Sequence, residues 1–180
     1  MATPSRIFVS RLGGVAVFDP NGDPVGKVRD VVVTLRLGGV PPQATGLVVE
    51  IQHRRRIFVS FEQINTIEID AVVLGTGRVS LKRFEQRARE TLVFGELLDR
   101  RVTLIEDATT VAVADAAIER RSREWLLTRL AVRAVSGKRI ARRAGVRQVE
   151  WDAVTGLSLS SADQGANSLL AVFEDMRAVD

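Results

Sequence analysis

Short apolar runs separated by turn residues fill the first part of the chain. Residues 15–18 form one such run, and residues 19–23 after it (Asp-Pro-Asn-Gly-Asp) are all types that favour turns. A longer run, residues 25–37, contains the stretch Val-Val-Val-Thr-Leu at residues 31–35. Because β-branched residues fit strands better than helices, this pattern predicts a β-hairpin.

Further short strands are predicted after the break at residues 38–42. They cover residues 46–52, 57–59, 64–69 and 71–74, with a polar turn at residues 53–56. Strands this short and this closely spaced are typical of a small barrel, in which closure removes the exposed sheet edges. Residues 80–96 carry three arginines and little apolar face, so the pattern there predicts a short helical turn followed by a linker.

The second part of the chain repeats the order of features in the first. Asp115 lies in a long apolar run, residues 111–118, at 85 positions after Asp30. We infer an internal duplication, although two unrelated hairpins could resemble each other to this extent. The corresponding segments are residues 15–18 with 102–105, the turn at 19–23 with 106–108, residues 46–52 with 126–135, and residues 59–64 with 149–154.

The end of the chain has a different pattern. Ser161 and Gln164 have the spacing of a helix capping box, and apolar residues follow at helical spacing. We therefore expect residues 161–180 to begin a helical domain of a longer protein. Its apolar face would need a partner surface, supplied by the same chain or a second copy. That face consists of Leu169, Leu170, Phe173 and Met176.

Composition limits the classes of protein that remain. Hydrophobic residues make up 46% of the chain and charged residues 27%, which is typical of a globular protein and excludes disorder. Aromatic residues are only 5% and Tyr is absent, so the core must be built from Val, Leu, Ile and Ala. The sequence contains neither a signal peptide nor an uncharged apolar run of about 18–20 residues. We therefore expect a cytoplasmic protein, with contact at the inner membrane face left open.

Catalytic and metal-binding patterns find little support. The absence of Cys excludes thiolate chemistry, and no G-x-S-x-G motif or glycine-rich phosphate loop occurs. His53, the single histidine, lies in a polar turn without other ligand types nearby. Asp19 and Asp30 fit the first and last positions of a calcium loop, but Pro24 occupies the sixth, where that loop requires Gly. We expect a structural turn, no metal, no cofactor and no enzymatic activity.

Three basic clusters are the remaining candidates for partner binding. They lie at residues 53–56, 120–123 and 138–143 of a chain whose net charge is +4 and whose pI is about 10.5. The first interpretation is solvation of hairpin tips, and the second is an anionic partner, either an acidic protein surface or lipid headgroups. Nucleic acid is not favoured because no aromatic residues are interleaved with these arginines. The first cluster supplies Arg54, Arg55 and Arg56 as possible partner-binding residues.

The first hairpin resembles the signature of the PRC-barrel family over roughly residues 11–75. In that family a glycine-containing turn leads into a bent strand that ends in an Asp. The resemblance implies a positive φ at Gly22 and close backbone approach at Gly26. The residues that carry it are Asp19, Gly22, Val25, Gly26, Val28 and Asp30.

Residues 4–12, 91–99 and 167–170 extend this resemblance to a particular group of actinobacterial proteins. These carry PRC-barrel units followed by the N-terminal helical domain of the magnesium transporter E family. The resemblance implies a mainly β chain with two small PRC-barrel-like barrels in tandem, at residues 1–90 and, as a degenerate copy, 91–160, before a C-terminal amphipathic helix at 161–180. Its implied function is a non-enzymatic protein-binding or scaffold module of a magnesium-transporter-like regulatory protein. The alternative is an RNA- or ribosome-associated adaptor similar to the PRC-barrel of the ribosome maturation factor.

Overall fold

The computed structural model describes residues 3–136, 139–140 and 145–157. The described chain is mainly β, as the pattern of apolar runs predicts. Its strands are β1 (Arg6–Phe8), β2 (Ala16–Phe18), β3 (Pro24–Thr34), β4 (Gln43–Glu50), β5 (Arg56–Ser60), β6 (Ile64–Ile67), β7 (Ala71–Leu74), β8 (Glu90–Leu92), β9 (Arg101–Leu104), β10 (Thr110–Arg121), β11 (Glu124–Ser136), β12 (Arg139–Ile140), β13 (Arg147–Glu150) and β14 (Val154–Thr155).

Short helical turns connect several of these strands. Residue Ser60 shows how one of them begins, because its hydroxyl accepts a hydrogen bond from the Glu62 N–H while the Gln63 side chain accepts from the Ser60 N–H. The turns are of 3-10 type at Val9–Arg11, Gln52–Arg54, Phe61–Gln63 and Trp151–Ala153, and of π type at Val93–Leu97.

The described strands form one sheet in the order β14-β9-β10-β11-β4-β3-β2-β7-β6. Two long strands organise it. β3 pairs with β4 on one edge and with β2 and β8 on the other, whereas β10 pairs with β11 on one edge and with β9 and β1 on the other. The halves join where the ends of β4 and β11 pair.

Each half of the chain gives its first strand to the other half. β1 begins the chain but pairs with β10, and β8 begins the second half but pairs with β3. We call β1 and β8 the exchanged strands. Because of this exchange, the two halves share one hydrogen-bonded sheet instead of forming two separate units.

The registers of the two halves match each other closely. The β3–β4 ladder shifts between Val28 and Asp30, and the β10–β11 ladder shifts between Val113 and Asp115. These positions are 85 residues apart, the same spacing that relates the two aspartates in the sequence. Equivalent bulges therefore occur at equivalent positions of the two halves.

The core is continuous through both halves and contains mostly Val, Leu, Ile and Ala, as expected from the composition. Val9 and Leu12 from the first turn pack in the same cluster as residues of β10 and β11. Fully buried members include Val28, Leu47, Ile57, Ile118 and Leu130. Burial of this shared apolar surface is the main force that holds the halves together.

The structure corrects two expectations. The expected pair of closed barrels is wrong: the described strands form one open sheet. The helical turn followed by a linker that was expected at residues 80–96 is also wrong: residues 80–89 contain no helix, β8 follows at Glu90–Leu92, and the π turn begins only at Val93. A three-residue strand has too little periodicity to be recognised from the sequence. The expected C-terminal helix at 161–180 lies outside the described residues.

Gly26 illustrates how tightly β3 approaches β4. A Cβ atom at Gly26 would lie 2.2 Å from the backbone oxygen of Glu50 and 3.0 Å from a Val49 methyl group. We expect Gly26→Val to destabilise the protein by at least about 1–3 kcal/mol, since the ladder itself must shift. The exposed Arg55 donates to the Leu81 carbonyl at 3.2 Å, so Arg55→Ala should cost under about 1 kcal/mol.

Urea unfolding of the two variants checks this expectation. The midpoint of Gly26→Val should fall clearly below that of Arg55→Ala. Equal midpoints would show that β3 can move away from β4 at little cost, and the interpretation of Gly26 as a close-packing position would fail.

Candidate functional site

Asp30, at the centre of β3, forms hydrogen bonds that link the two halves. Its side chain is 6% exposed and accepts hydrogen bonds from the N–H groups of Val31 at 2.8 Å, Phe94 at 2.8 Å and Gly95 at 3.0 Å. Burial raises the pKa of the Asp30 carboxyl above its ordinary value, and the three N–H groups oppose that rise. These hydrogen bonds hold the π turn against β3.

Asp115 has the corresponding role in the other half. It is half-buried and accepts from the N–H of Ala116 at 2.8 Å, from the N–H of Ser10 at 3.1 Å and from the Ser10 hydroxyl. It thereby holds the turn Val9–Arg11 against β10. Both aspartates use their oxygen atoms to fix the turn that follows an exchanged strand, which is a structural task.

A groove of about 740 Å³ runs beside β1. One wall consists of β1 and the turn after it, and the other consists of the end of β6 and the residues that follow. Ile69 in the second wall is 89% exposed, an unusual position for a large apolar side chain. The lining residues are Pro4, Arg6, Ile7, Phe8, Arg11, Leu12, Ile67, Glu68 and Ile69.

Polar contacts hold both walls of this groove in place. Arg6 forms an ion pair with Glu119 on β10, and Arg121 also contacts Glu119 at 3.3 Å. Burial raises the pKa of Glu119, but hydrogen bonds and charges from Arg6 and Arg121 outweigh burial and hold that pKa below its ordinary value. Across the groove, the Ile67 N–H donates to the Thr3 hydroxyl at 3.0 Å. The walls are therefore fixed relative to each other.

A second, smaller depression of about 400 Å³ adjoins the groove at Ile67. It contains the tilted aromatic pair of Phe61 and Trp125, whose ring centroids are 5.7 Å apart. Its remaining lining is largely polar and includes Arg120 and Arg123 from the second basic cluster. The pair joins the two halves, and Trp125 is only 7% exposed, so these rings serve mainly as packing.

Asp19 and Asp30, the two ends of the calcium-like sequence pattern, have separate roles in the structure. Asp19 accepts from the N–H groups of Asn21 and Asp23, both at 2.9 Å, which is the geometry of a turn. Gly22 has φ 85°, in agreement with the expected positive value. Asp30 points instead toward the π turn. In the part of the chain that the structure describes, no group of three His, Asp or Glu residues could hold a metal ion.

The basic cluster at residues 53–56 lies at the tip of the β4–β5 hairpin. His53 and Arg54 have φ values of 59° and 57°, and both side chains are exposed. Arg56 lies 3.7 Å from Glu50, and Arg55 reaches the Leu81 carbonyl, so neither is fully free for a partner. The side chains at 138–143 and the partner-binding candidates Leu169, Leu170, Phe173 and Met176 lie outside the described residues.

The second half of the chain matches a known protein family. Residues 91–160 match the family model described as the actinomycetes SH3 domain. The match covers less than half of the chain. No curated protein shows a significant match.

This match overturns the sequence-based resemblance. The assignment to PRC-barrels and to magnesium-transporter-like proteins is wrong, because the family model that residues 91–160 match is that of an SH3 domain. The signature residues of the first hairpin have local roles that a turn and a closely paired strand require in many folds, such as the positive φ of Gly22. No helix in the described ranges has the length and hydropathy needed to cross a bilayer.

The groove was not predicted from the sequence. No motif or pattern marks Arg6, Phe8, Arg11 or Ile69 as site residues. The only local sign of the groove in the sequence is an isoleucine, Ile69, next to the turn residue Asp70. The groove exists because β1 pairs with a strand whose Glu119 lies 113 positions from Arg6, a contact that no local pattern reveals.

Proposed function

We propose that this chain is a protein-binding module that holds its partner in the groove beside β1. The observation that supports the proposal most directly is the fixed apolar groove with the exposed Ile69 on its rim. Exposed apolar surface bordered by charged side chains is typical of interaction sites. SH3-like domains, the type matched by the second half, commonly mediate protein interactions.

The fixed walls of the groove favour binding further. Arg6 is held by Glu119, and Ile67 is held by Thr3, so little conformational freedom remains to be lost on association. Preorganised surfaces bind more tightly because less side-chain and backbone ordering opposes binding.

Binding is favoured over catalysis by the roles of the two acidic residues in β3 and β10. Asp30 and Asp115 both direct their oxygen atoms at backbone N–H groups of their own fold. Neither lines the groove. The groove itself offers one carboxylate, Glu68, and two guanidinium groups, which suit recognition of a charged partner.

A selection of displayed peptides tests this proposal. Random twelve-residue peptides would be selected on the full chain, and their affinities measured for two variants. Ile69→Asp should lower affinity at least about tenfold, because a carboxylate must then be desolvated in an apolar groove. The matched control is Leu37→Asp, since Leu37 is 69% exposed and lies outside the groove lining. Its affinity should remain that of the wild type.

Two results would contradict the proposal. One is a selection that enriches no peptide. The other is a set of peptides whose affinity falls equally in the Ile69 and Leu37 variants, since binding would then depend on general surface charge.

A further inference from the structure

The outer edge of β1 carries backbone groups directed away from its sheet. The Arg120 N–H donates to the Ser5 carbonyl at 2.9 Å. In an antiparallel pair, hydrogen-bonded and non-hydrogen-bonded residues alternate along the strand. Ile7 therefore bonds to β10, while the N–H and C=O groups of Arg6 and Phe8 point outward, to the side opposite β10.

In the other exchanged strand, β8, side chains form hydrogen bonds with the corresponding outward backbone groups. The same register directs the backbone groups of Glu90 and Leu92 away from β3. The Gln86 side chain donates to the Glu90 carbonyl at 2.9 Å, and the Glu96 carboxylate accepts from the Leu92 N–H at 3.0 Å. Gln86 also donates to Glu96, so two linked side chains close this edge.

Among the residues that the structure describes, no side chain closes the corresponding edge of β1. Arg11 and Leu12 stand near the position that corresponds to Glu96, and neither contacts the Phe8 N–H. Within the described ranges, the Arg6 carbonyl and the Phe8 N–H have no hydrogen-bond partner, and both residues line the groove. An open strand edge of this kind can pair with an added strand.

We propose that the occupant of the groove is an extended peptide that adds to β1 as a further strand. Its backbone would accept from the Phe8 N–H and donate to the Arg6 carbonyl, and its apolar side chains would lie against Phe8 and Ile69. This inference rests on the proposed function, because it assigns the mode of binding and the chemistry of the partner at the same groove.

The charges of the groove define the partner further. Arg6 is already paired with Glu119, whereas Arg11 is exposed and has no ion-pair partner in the described part of the chain. The peptide should therefore carry an acidic side chain opposite Arg11, next to its apolar residues. Charge complementarity of this kind sets the direction and register of the added strand.

Replacement of Phe8 by proline tests strand addition. Phe8 has φ −77°, which proline accommodates, and its N–H takes no part in the β1–β10 ladder. With the tightest peptide from the display selection as probe, Phe8→Pro should bind about tenfold more weakly than Phe8→Ala. Both variants lose the ring, so the difference isolates the N–H group.

A second measurement on the wild-type chain does not depend on how the proline variant folds. Methylation of single backbone nitrogens in the probe peptide should weaken binding at every second position, because alternate N–H groups face β1. In addition, Arg11→Glu should lower affinity about tenfold, whereas Arg54→Glu at the exposed hairpin tip should not.

The outcomes separate this inference from the proposed function. Peptides that lose affinity in Ile69→Asp but bind Phe8→Pro and Phe8→Ala equally, with no alternation in the methylation series, would overturn strand addition and leave the groove function standing. A selection that enriches no peptide would overturn both.

Discussion

A fragment that contains only residues 91–180 should remain unfolded, although residues 91–160 match a domain family. Without the first half, β10 loses its pairing with β1, and β8 loses its pairing with β3. The π turn also loses the carboxylate of Asp30, which accepts two of its N–H groups. The exchange of strands makes the halves interdependent.

The fragment should lose a large share of the free energy that stabilises the fold. Ile7, Val9 and Leu12 are 6%, 0% and 2% exposed in the common core. Burial of each contributes about 1.5–3 kcal/mol, so their removal alone costs roughly 5–9 kcal/mol. This is comparable with the whole stability of a typical domain, about 5–15 kcal/mol.

The fragment can be examined by circular dichroism and by the dispersion of its amide signals in NMR. We expect poor dispersion for residues 91–180 alone and recovery on mixing with residues 1–90, which supply β1 and Asp30. A fragment that unfolds cooperatively by itself, with a midpoint near that of the full chain, would show that the exchange of strands is dispensable.

Asp30→Asn should be the most damaging single polar substitution in the described structure, at about 3 kcal/mol. Asparagine has one acceptor oxygen, so its NH₂ group would face the N–H of Phe94 or Gly95. A buried donor left without an acceptor costs about 1–3 kcal/mol. Asp115→Asn is the matched control, because Asp115 is half-buried and should cost about 1 kcal/mol.

The difference in stability between wild type and Asp30→Asn should depend on pH, because the pKa of Asp30 is raised in the folded protein. A carboxyl whose pKa is higher in the folded than in the unfolded state holds its proton more strongly when folded. The protonated carboxyl therefore adds to the free energy of unfolding. This addition is complete below the unfolded pKa of about 3.9 and is lost as the pH rises through the folded pKa. Urea unfolding should therefore show a stability gap between wild type and Asp30→Asn that narrows above pH 4. A gap that widens, or equal costs for Asp30→Asn and Asp115→Asn, would contradict this account.

Much of each half could be predicted because its signals are local. Turn residues at 19–23 and β-branched residues at 31–35 defined the first hairpin, and the spacing of Asp30 and Asp115 matches the equivalent bulges of β3 and β10. These features depend on backbone preferences within a few residues. A local pattern also led to the wrong family assignment, because a glycine-containing turn before a closely paired strand occurs in more than one fold.

The exchange of strands and the groove could not be predicted in the same way. β1 and β8 have three residues each, and their partners lie far away in the sequence. The open edge of β1 became recognisable only by comparison with β8, whose edge is closed by Gln86 and Glu96. Such differences between equivalent positions are visible only when both halves are placed in one sheet.

Chemical-shift mapping with the probe peptide tests the central claim most directly, because it shows which surface is occupied. We predict that the largest changes occur at the backbone amides of Phe8 and residues 67–69, and that the Phe8 amide becomes protected from hydrogen exchange in the complex. Changes confined to the hairpin tip at residues 53–56, or to the depression at Phe61 and Trp125, would contradict the account and place the binding surface elsewhere.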